Sequence, residues 1–509
     1  MALSMGVVKI IGALNWIFLA RILGGEGIGI YQMAFPIYLM AITISSAGIP
    51  VAISIITAEK LALNDYRGAR RGFSVSLRLL AVSGLFFSTL VFCSARWLID
   101  SGLIRDPRTY YSIIALSPTI FFVTFLAPFR GYLQGWQIMT PTGVSEVVEQ
   151  SVRVVTMLIF AGLLLPYGLD YAAGGASLGA GAGSISALCV LMWFYHRLKK
   201  KFKAQIEAQD DSAPVESAGF IIKKLLKLAL PVSLTSIMLP LGTGLDMLIV
   251  PRRLEVAGYS MNGATEYFGY LMGMAVPLVN LAAIFTAAMT MSLVPSISES
   301  HALKDWEGLK HKVKTALRVA LIISCPCCIG LYCLAENVAQ FIYAAPLAAG
   351  AIRVMSLGIV FLGIHQITTG ILQGVGKATI PVINMLAACI VKVILNWTLT
   401  ANPQYGIQGS AFSTVSDFAV AAILNLIFVY KYTGYAPSFI TVAKPAASAV
   451  VMGAGIFAVL SKLQGNLGLG ASFITAVPLY FITIYLFKGI TKEDLLGMPF
   501  IGKYLQRRN

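Results

Sequence analysis

Apolar positions in this chain run in long stretches rather than alternating or marking one helical face. A helix needs about 20 consecutive apolar residues to cross the hydrocarbon core of a bilayer. About fourteen segments meet that template: 4–23, 28–57, 73–98, 109–133, 142–165, 171–196, 225–250, 264–295, 315–337, 347–373, 379–401, 406–430, 442–462 and 469–489. Helix-breaking residues separate them at Asn64-Asp65, Pro107, Pro141, Pro166-Tyr167-Gly168, Pro403 and Pro437. The first stretch, Gly6 to Leu23, is interrupted by Lys9 and lacks a small-x-small cleavage site, so it reads as a retained helix and not a signal peptide. The expected fold is an all-α polytopic membrane protein.

Composition agrees. Of 509 residues, 57% are hydrophobic and 12% charged, and the mean hydropathy is +0.79. A soluble domain carries about 25% charged residues, so soluble, disordered and fibrous classes are excluded. Seven cysteines, sparse and odd in number, exclude a secreted disulfide scaffold. The net charge of +16 does not point to nucleic acid, because the cations cluster in the short connections. With the N-terminus inside, twenty-four cations fall on the cytoplasmic side, eight on the opposite side and six within spans. That asymmetry places both termini in the cytoplasm.

The chain repeats itself. Gly131-Tyr-Leu-Gln-Gly135 closes the fourth segment and Gly370-Ile-Leu-Gln-Gly374 the tenth, 239 residues later. Arg153 and Lys392 share that offset, and Gly48-Ile49-Pro50 is echoed by Leu293-Val294-Pro295. The pattern predicts a duplicated six-helix lobe, with the two copies in one orientation and related by a pseudo-two-fold axis along the membrane normal. The expected parts are a first lobe at 1–198, a cytoplasmic linker at 199–222, a second lobe at 223–432, two further helices at 433–490 and a cytoplasmic tail at 491–509.

A charge within a span is costly and faces either a polar cavity or a partner. Glu146, Glu149 and Arg153 share one face of the fifth helix by their spacing. Arg153 lies twelve residues past Pro141, about 18 Å deep. Lys9, Lys392, Asp246 and Asp417 are also in spans. Two roles stay open for them. Lys9, Arg153 and Lys392 could hold a phosphate-bearing head group in a cavity between the lobes, with Glu146 and Glu149 tuning them and Asp246 or Asp417 binding a coupling ion. Alternatively, Glu149–Arg153 and Lys392–Asp417 are structural pairs that pin helices together. At the outer mouth, Arg21 and Glu26, and equivalently Arg252 and Arg253, either meet the substrate at the exit or snorkel as interfacial anchors.

No catalytic chemistry is legible. There is no phosphate-binding GxxxxGK[ST] loop, and the outer connections are too short for a catalytic domain. Cys325-Pro326-Cys327-Cys328 sits in an apolar run without a nearby His or carboxylate, and reads as small buried thiols and not a metal centre. His196, His301, His311 and His365 show no ligand spacing. The sequence requires no cofactor and no metal.

Several strings together carry a resemblance. They are Ala20-Arg21-Ile-Leu-Gly-Gly-Glu26-Gly-Ile-Gly29-Ile-Tyr31, Gly48-Ile-Pro-Val-Ala52-Ile-Ser54, Arg130-Gly-Tyr-Leu-Gln-Gly135, Glu149-Gln150-Ser-Val-Arg153 and Leu165-Pro-Tyr-Gly168-Leu-Asp-Tyr-Ala-Ala173-Gly-Gly. The chain resembles the polysaccharide-transporter branch of the multidrug/oligosaccharidyl-lipid/polysaccharide exporter superfamily, and within it the stage V sporulation protein B group, related to the lipid II flippases. That resemblance implies a bacterial cytoplasmic-membrane flippase for an undecaprenyl-pyrophosphate-linked saccharide, such as lipid II or a related cell-wall or spore-cortex precursor. Cell-wall synthesis enzymes are then candidate partners. Lys9 matches a cavity arginine of the lipid II flippases, while Asn15 and Ile30 stand where those carry charge. The alternatives are an ion-coupled drug or cation antiporter of the same superfamily, and a membrane-embedded glycan ligase or assembly scaffold.

Overall fold

A computed structural model describes residues 2–46, 48–201, 216–463 and 465–489; most of the linker expected at 199–222 and all of the tail at 491–509 lie outside them. Among the described residues every regular element is helical. The fourteen apolar segments all fall on helices. Ten helices are by themselves long and apolar enough to span, and two bent pairs raise the number to twelve.

The remaining differences have local causes. Gly6–Ala62 is counted as one span of 57 residues, about 85 Å at 1.5 Å per residue, far more than one crossing requires. The chain turns within helix α1 (Ala2–Ser46) at Gly24, where φ is 65° and ψ −175°. It turns again at Gly48, φ 75°, before α2 (Ile49–Ala62), whose first turn contains Pro50. Both glycines occupy a left-handed region that a Cβ disfavours. The expected segment 28–57 is therefore divided at Gly48. The segment 264–295 is bent by 47° between Met261–Ala282 and Ile284–Ala302, and 347–373 by 42° between Pro346–Ser356 and Gly358–Gly374.

Helices α3 (Tyr66–Asp100), α4 (Tyr110–Gly135), α5 (Thr140–Leu164) and α6 (Leu169–Lys201) follow, then α7 (Ala218–Ser236), α8 (Met238–Val256) and α9 (Met261–Gly269). The helices form two units: Met1–Arg252 with Met261–Gly269, and Arg253–Ser260 with Tyr270–Asn509. The division falls later than the boundary read from the linker, because α7 packs on α2 and α3. Its Ile221, Leu225 and Ala229 are buried with Ile53, Ile56 and Phe73. Ion pairs Lys224–Glu59 and Lys60–Glu216, both 2.7 Å, fasten the same contact.

The second unit contains α10 (Val276–Ala282), α11 (Ile284–Ala302), α12 (Trp306–Cys333), α13 (Ala349–Ser356), α14 (Gly358–Gly374), α15 (Thr379–Leu399) and α16 (Gly406–Thr433). Its backbone repeats that of the first. Asn64 and Lys304 both have φ 56°. Each precedes an aspartate that caps a helix, Asp65 accepting from Gly68 N at 2.7 Å and Asp305 from Gly308 N at 2.9 Å. Pro107 and Pro346 both open single 3₁₀ turns. Gln137 and Gly376, and Gly168 and Gly406, form further positive-φ pairs near the same offset.

The GxLQG strings do the same packing work in each unit. A methyl group at Gly135 would lie 2.8 Å from Ser54 O of α2, and one at Gly374 would lie 2.9 Å from Val294 O of α11. Helices α17 (Phe439–Leu460) and α18 (Gly465–Leu486) pack on each other. They are held to α12 by Gly453 against Ile329 and by Tyr480 Oη donating to Ile322 O at 2.8 Å.

Substituting Gly135→Val or Gly374→Val should lower stability by about 1–3 kcal/mol through overpacking. Gly162→Ala, with nothing within 4 Å of the new methyl, should not lower it. Thermal unfolding in detergent checks this; equal midpoints for all three variants would refute the shared packing role.

Candidate functional site

In lipid, a charged side chain must find compensation within the protein. On α5 this compensation is a carboxylate shared by two guanidiniums. Glu149 Oε2 accepts from Arg130 Nη2 of α4 at 2.7 Å, and Glu149 Oε1 accepts from Arg153 Nη2 at 3.1 Å. The side chains are 16% exposed for Glu149 and 22% for each arginine. Two cations on one anion leave the cluster with one net positive charge.

The fold places the cluster through small residues. A methyl at Gly179 of α6 would sit 2.8 Å from Arg153 O, and one at Gly183 2.6 Å from Glu149 O. Helix α6 therefore lies directly on the α5 backbone and leaves other faces of α5 for its charged side chains. Tyr31 and Tyr38 of α1 lie within electrostatic reach of Arg153. They belong to an aromatic row, with Tyr31–Phe35 centroids 5.8 Å apart and Phe35–Tyr38 5.7 Å apart. Asn15 Nδ2, 3.2 Å from Met157 Sδ, ties α1 to α5 one turn further on.

Of the residues singled out by sequence, Glu149 and Arg153 are thus brought together. Glu146 is half-buried one turn earlier and forms no ion pair among the described residues. Lys9 is exposed on α1. Asp246 is buried in α8 at 2% exposure. In the second unit Lys392 is buried at 7% exposure on the face of α15 that also carries Asn384, Ala388 and Asn396. Asp417 is half-buried on α16, which packs against α15. Arg130 is a further in-span cation; its partner lies on another helix, so spacing gives no sign of it.

A second polar cluster forms around Glu26. Arg108 Nη1 donates to Glu26 Oε1 at 2.7 Å, and its Nε and Nη2 donate to the fully buried Asp106 at 3.0 and 2.7 Å. Thr265 Oγ1 of α9 donates to the same carboxylate at 2.8 Å, and Asn262 Oδ1 accepts from Arg108 Nη2 at 3.2 Å. Here α9 lies on α1 so closely that a methyl at Gly29 would meet Thr265 O and one at Gly269 would meet Gly25 O. The sequence signal for Asp106 was a cap residue directly before Pro107. Arg252 donates to Gly102 O. Arg253 donates to Trp397 O at 2.8 Å and stacks on that ring at 4.4 Å. Arg21 is exposed.

The sequence model described as "Polysaccharide biosynthesis protein" matches residues 1–301, more than half the chain. The chain belongs to that family. A second model, MatE, matches residues 271–398. The chain is 28% identical to stage V sporulation protein B of Bacillus subtilis (strain 168), over 98% of this chain and 96% of that protein. It is 23% identical to lipid II flippase MurJ of the same organism, over 84% of this chain and 80% of that protein. A solved structure of lipid II flippase MurJ, in an inward closed conformation, matches with a TM-score of 0.72 at 16% identity, covering 95% of this chain and 98% of that one. The chain is a multi-pass membrane protein with the fold of that structure.

Replacing Glu149 with Gln strands two guanidiniums and should destabilise the protein by about 3 kcal/mol. Arg153→Gln should cost less, because Arg130 still partners Glu149. Unfolding of the single and double variants measures the coupling; a null coupling energy would show that the pair is not an interacting unit.

Proposed function

We propose that the chain is an alternating-access flippase that moves an undecaprenyl-pyrophosphate-linked saccharide, lipid II or a related cell-wall precursor, from the inner to the outer leaflet. The observation that carries this reading is the net-cationic Arg130–Glu149–Arg153 cluster within the spans. A pyrophosphate cannot enter hydrocarbon without such compensation. A guanidinium presents a planar fork of donors that matches phosphate oxygens, so it orients the head group as well as neutralising it. Glu149 holds the two forks and keeps the resting charge low enough for the helices to pack. Lys392 is buried at the equivalent place of the repeat, and Lys9 lies on α1. The names of the relatives support the cargo class, and the cation asymmetry supports cytoplasmic termini. The prenyl chain would stay in lipid while the head group changes leaflets.

The MatE match to 271–398 favours a second reading, an ion-coupled drug or cation antiporter with Glu146, Glu149, Asp246 or Asp417 as the ion site. The two readings separate in one experiment. In proteoliposomes containing purified protein and lipid II, Arg153→Ala and Lys9→Ala should reduce flipping at least tenfold, with Arg153→Lys intermediate. Neutralising Glu146, Glu149, Asp246 or Asp417 should abolish ion-driven efflux of a drug or cation on the second reading, an activity the first does not require. Full flipping by both Arg153→Ala and Lys9→Ala would exclude the role given to these cations.

A further inference from the structure

The second unit contains a buried polar relay that uses none of these residues. Asn425 of α16 has two amide hydrogens, donated to Thr369 Oγ1 at 3.1 Å and to His365 Nδ1 at 3.3 Å, both on α14. Its Oδ1 accepts from Asn384 Nδ2 of α15 at 2.8 Å. Asn425 is fully buried and Asn384 nearly so, while His365 is half-buried. With both amide hydrogens committed, Nδ1 accepts, and the ring hydrogen of neutral His365 is on Nε2.

We propose that His365 is a proton-binding site whose loading turns over the Asn425–Asn384 amide pair and so resets the contacts among α14, α15 and α16. A proton taken from water adds to the lone pair of Nδ1, and no other bond is made or broken. Nδ1–H then faces the Asn425 amide hydrogens, donor against donor. Rotation of the Asn425 amide by half a turn presents Oδ1 to Nδ1–H and to the Thr369 hydroxyl, and directs Nδ2 at Asn384. Asn384 must rotate with it to offer its own Oδ1. Each contact among these four residues pairs a donor with an acceptor in both arrangements, whereas a single rotated amide leaves two donors or two acceptors opposed. In hydrocarbon such a mismatch costs several kcal/mol, so the relay has two states and nothing stable between them.

Among the described residues no carboxylate pairs with the ring to hold the proton permanently. Helix α14 carries no other titratable side chain. On α16, Asp417 is eight residues from Asn425, about 12 Å along the axis, and Tyr430, Lys431 and Tyr432 lie toward the far end. On α15, Lys392 is eight residues from Asn384, also about 12 Å, with Cys389 between them. On α12, Ser324 lies against Gly363; Cys325, Cys327 and Cys328 adjoin it, and Arg318 is six residues away, about 9 Å. On α11, Thr286 donates to Gln366 at 2.6 Å, which puts Glu299 and His301 three turns or more distant. Arg353 of α13 is twelve residues before His365, about 18 Å. The imidazolium is thus stabilised by an amide oxygen, a weak and reversible partner suited to loading and unloading.

The test uses the full chain in detergent or nanodiscs with ring-¹⁵N histidine, His365 being assigned among the four histidines by His365→Gln. At pH 8 the Nδ1 resonance should be that of an unprotonated, accepting nitrogen. Asn425→Asp, which offers Nδ1–H a permanent acceptor, should raise the midpoint for His365 by at least one pH unit, a tenfold change in proton affinity. Hydrogen exchange of Thr379–Leu399 and Gly406–Thr433 should differ between the native chain and His365→Gln at pH 4, and coincide at pH 8. An Nδ1–H tautomer at pH 8, an unmoved midpoint in Asn425→Asp, or identical exchange at both pH values would each overturn the proposal. No result depends on what the chain carries.

Discussion

Helices in a bilayer gain nothing from hiding apolar surface from one another, because lipid is as apolar as leucine. Association must come from close packing and from satisfied polar groups. In this protein the close packing comes from glycine: Gly135 against Ser54, Gly374 against Val294, Gly179 and Gly183 against the α5 backbone, and Gly29 and Gly269 where α1 meets α9. These contacts decide where each helix lies and hence which side chains can meet. The polar clusters are consequences of that placement.

The clusters follow one rule, that each buried charge is met by a partner supplied from elsewhere in the chain. Glu149 compensates arginines on two helices. Asp106 compensates Arg108 and also takes the hydroxyl of Thr265. In the second unit amides take the place of carboxylates, and Asn425 gathers Asn384, Thr369 and His365. The two units thus repeat a backbone while diverging in chemistry. Asp106 has Ala345 as its counterpart at the 239-residue offset, and Arg153 has Lys392.

The apolar segments, their breaks and the duplicated GxLQG string were legible in the sequence because each is a local property. A span is a run of side chains, a break is a backbone conformation, and a repeat is a string. The shared face of Glu146, Glu149 and Arg153 was legible for the same reason, since i, i+3 and i+7 positions lie on one side of any helix. The turn at Gly48 was marked by Pro50, although the apolar run continued through it and concealed the division.

What the sequence alone determined, then, was an all-helical membrane protein with few in-span charges. The tertiary structure decided their partners. Arg130 and Glu149 are 19 residues apart, Glu26 and Arg108 82, Asp106 and Thr265 159, and His365 and Asn425 60. Periodicity reports the face of a single helix and is silent on which other helix will cover it. That choice belongs to the glycine crossings, where the absence of a side chain lets two backbones touch.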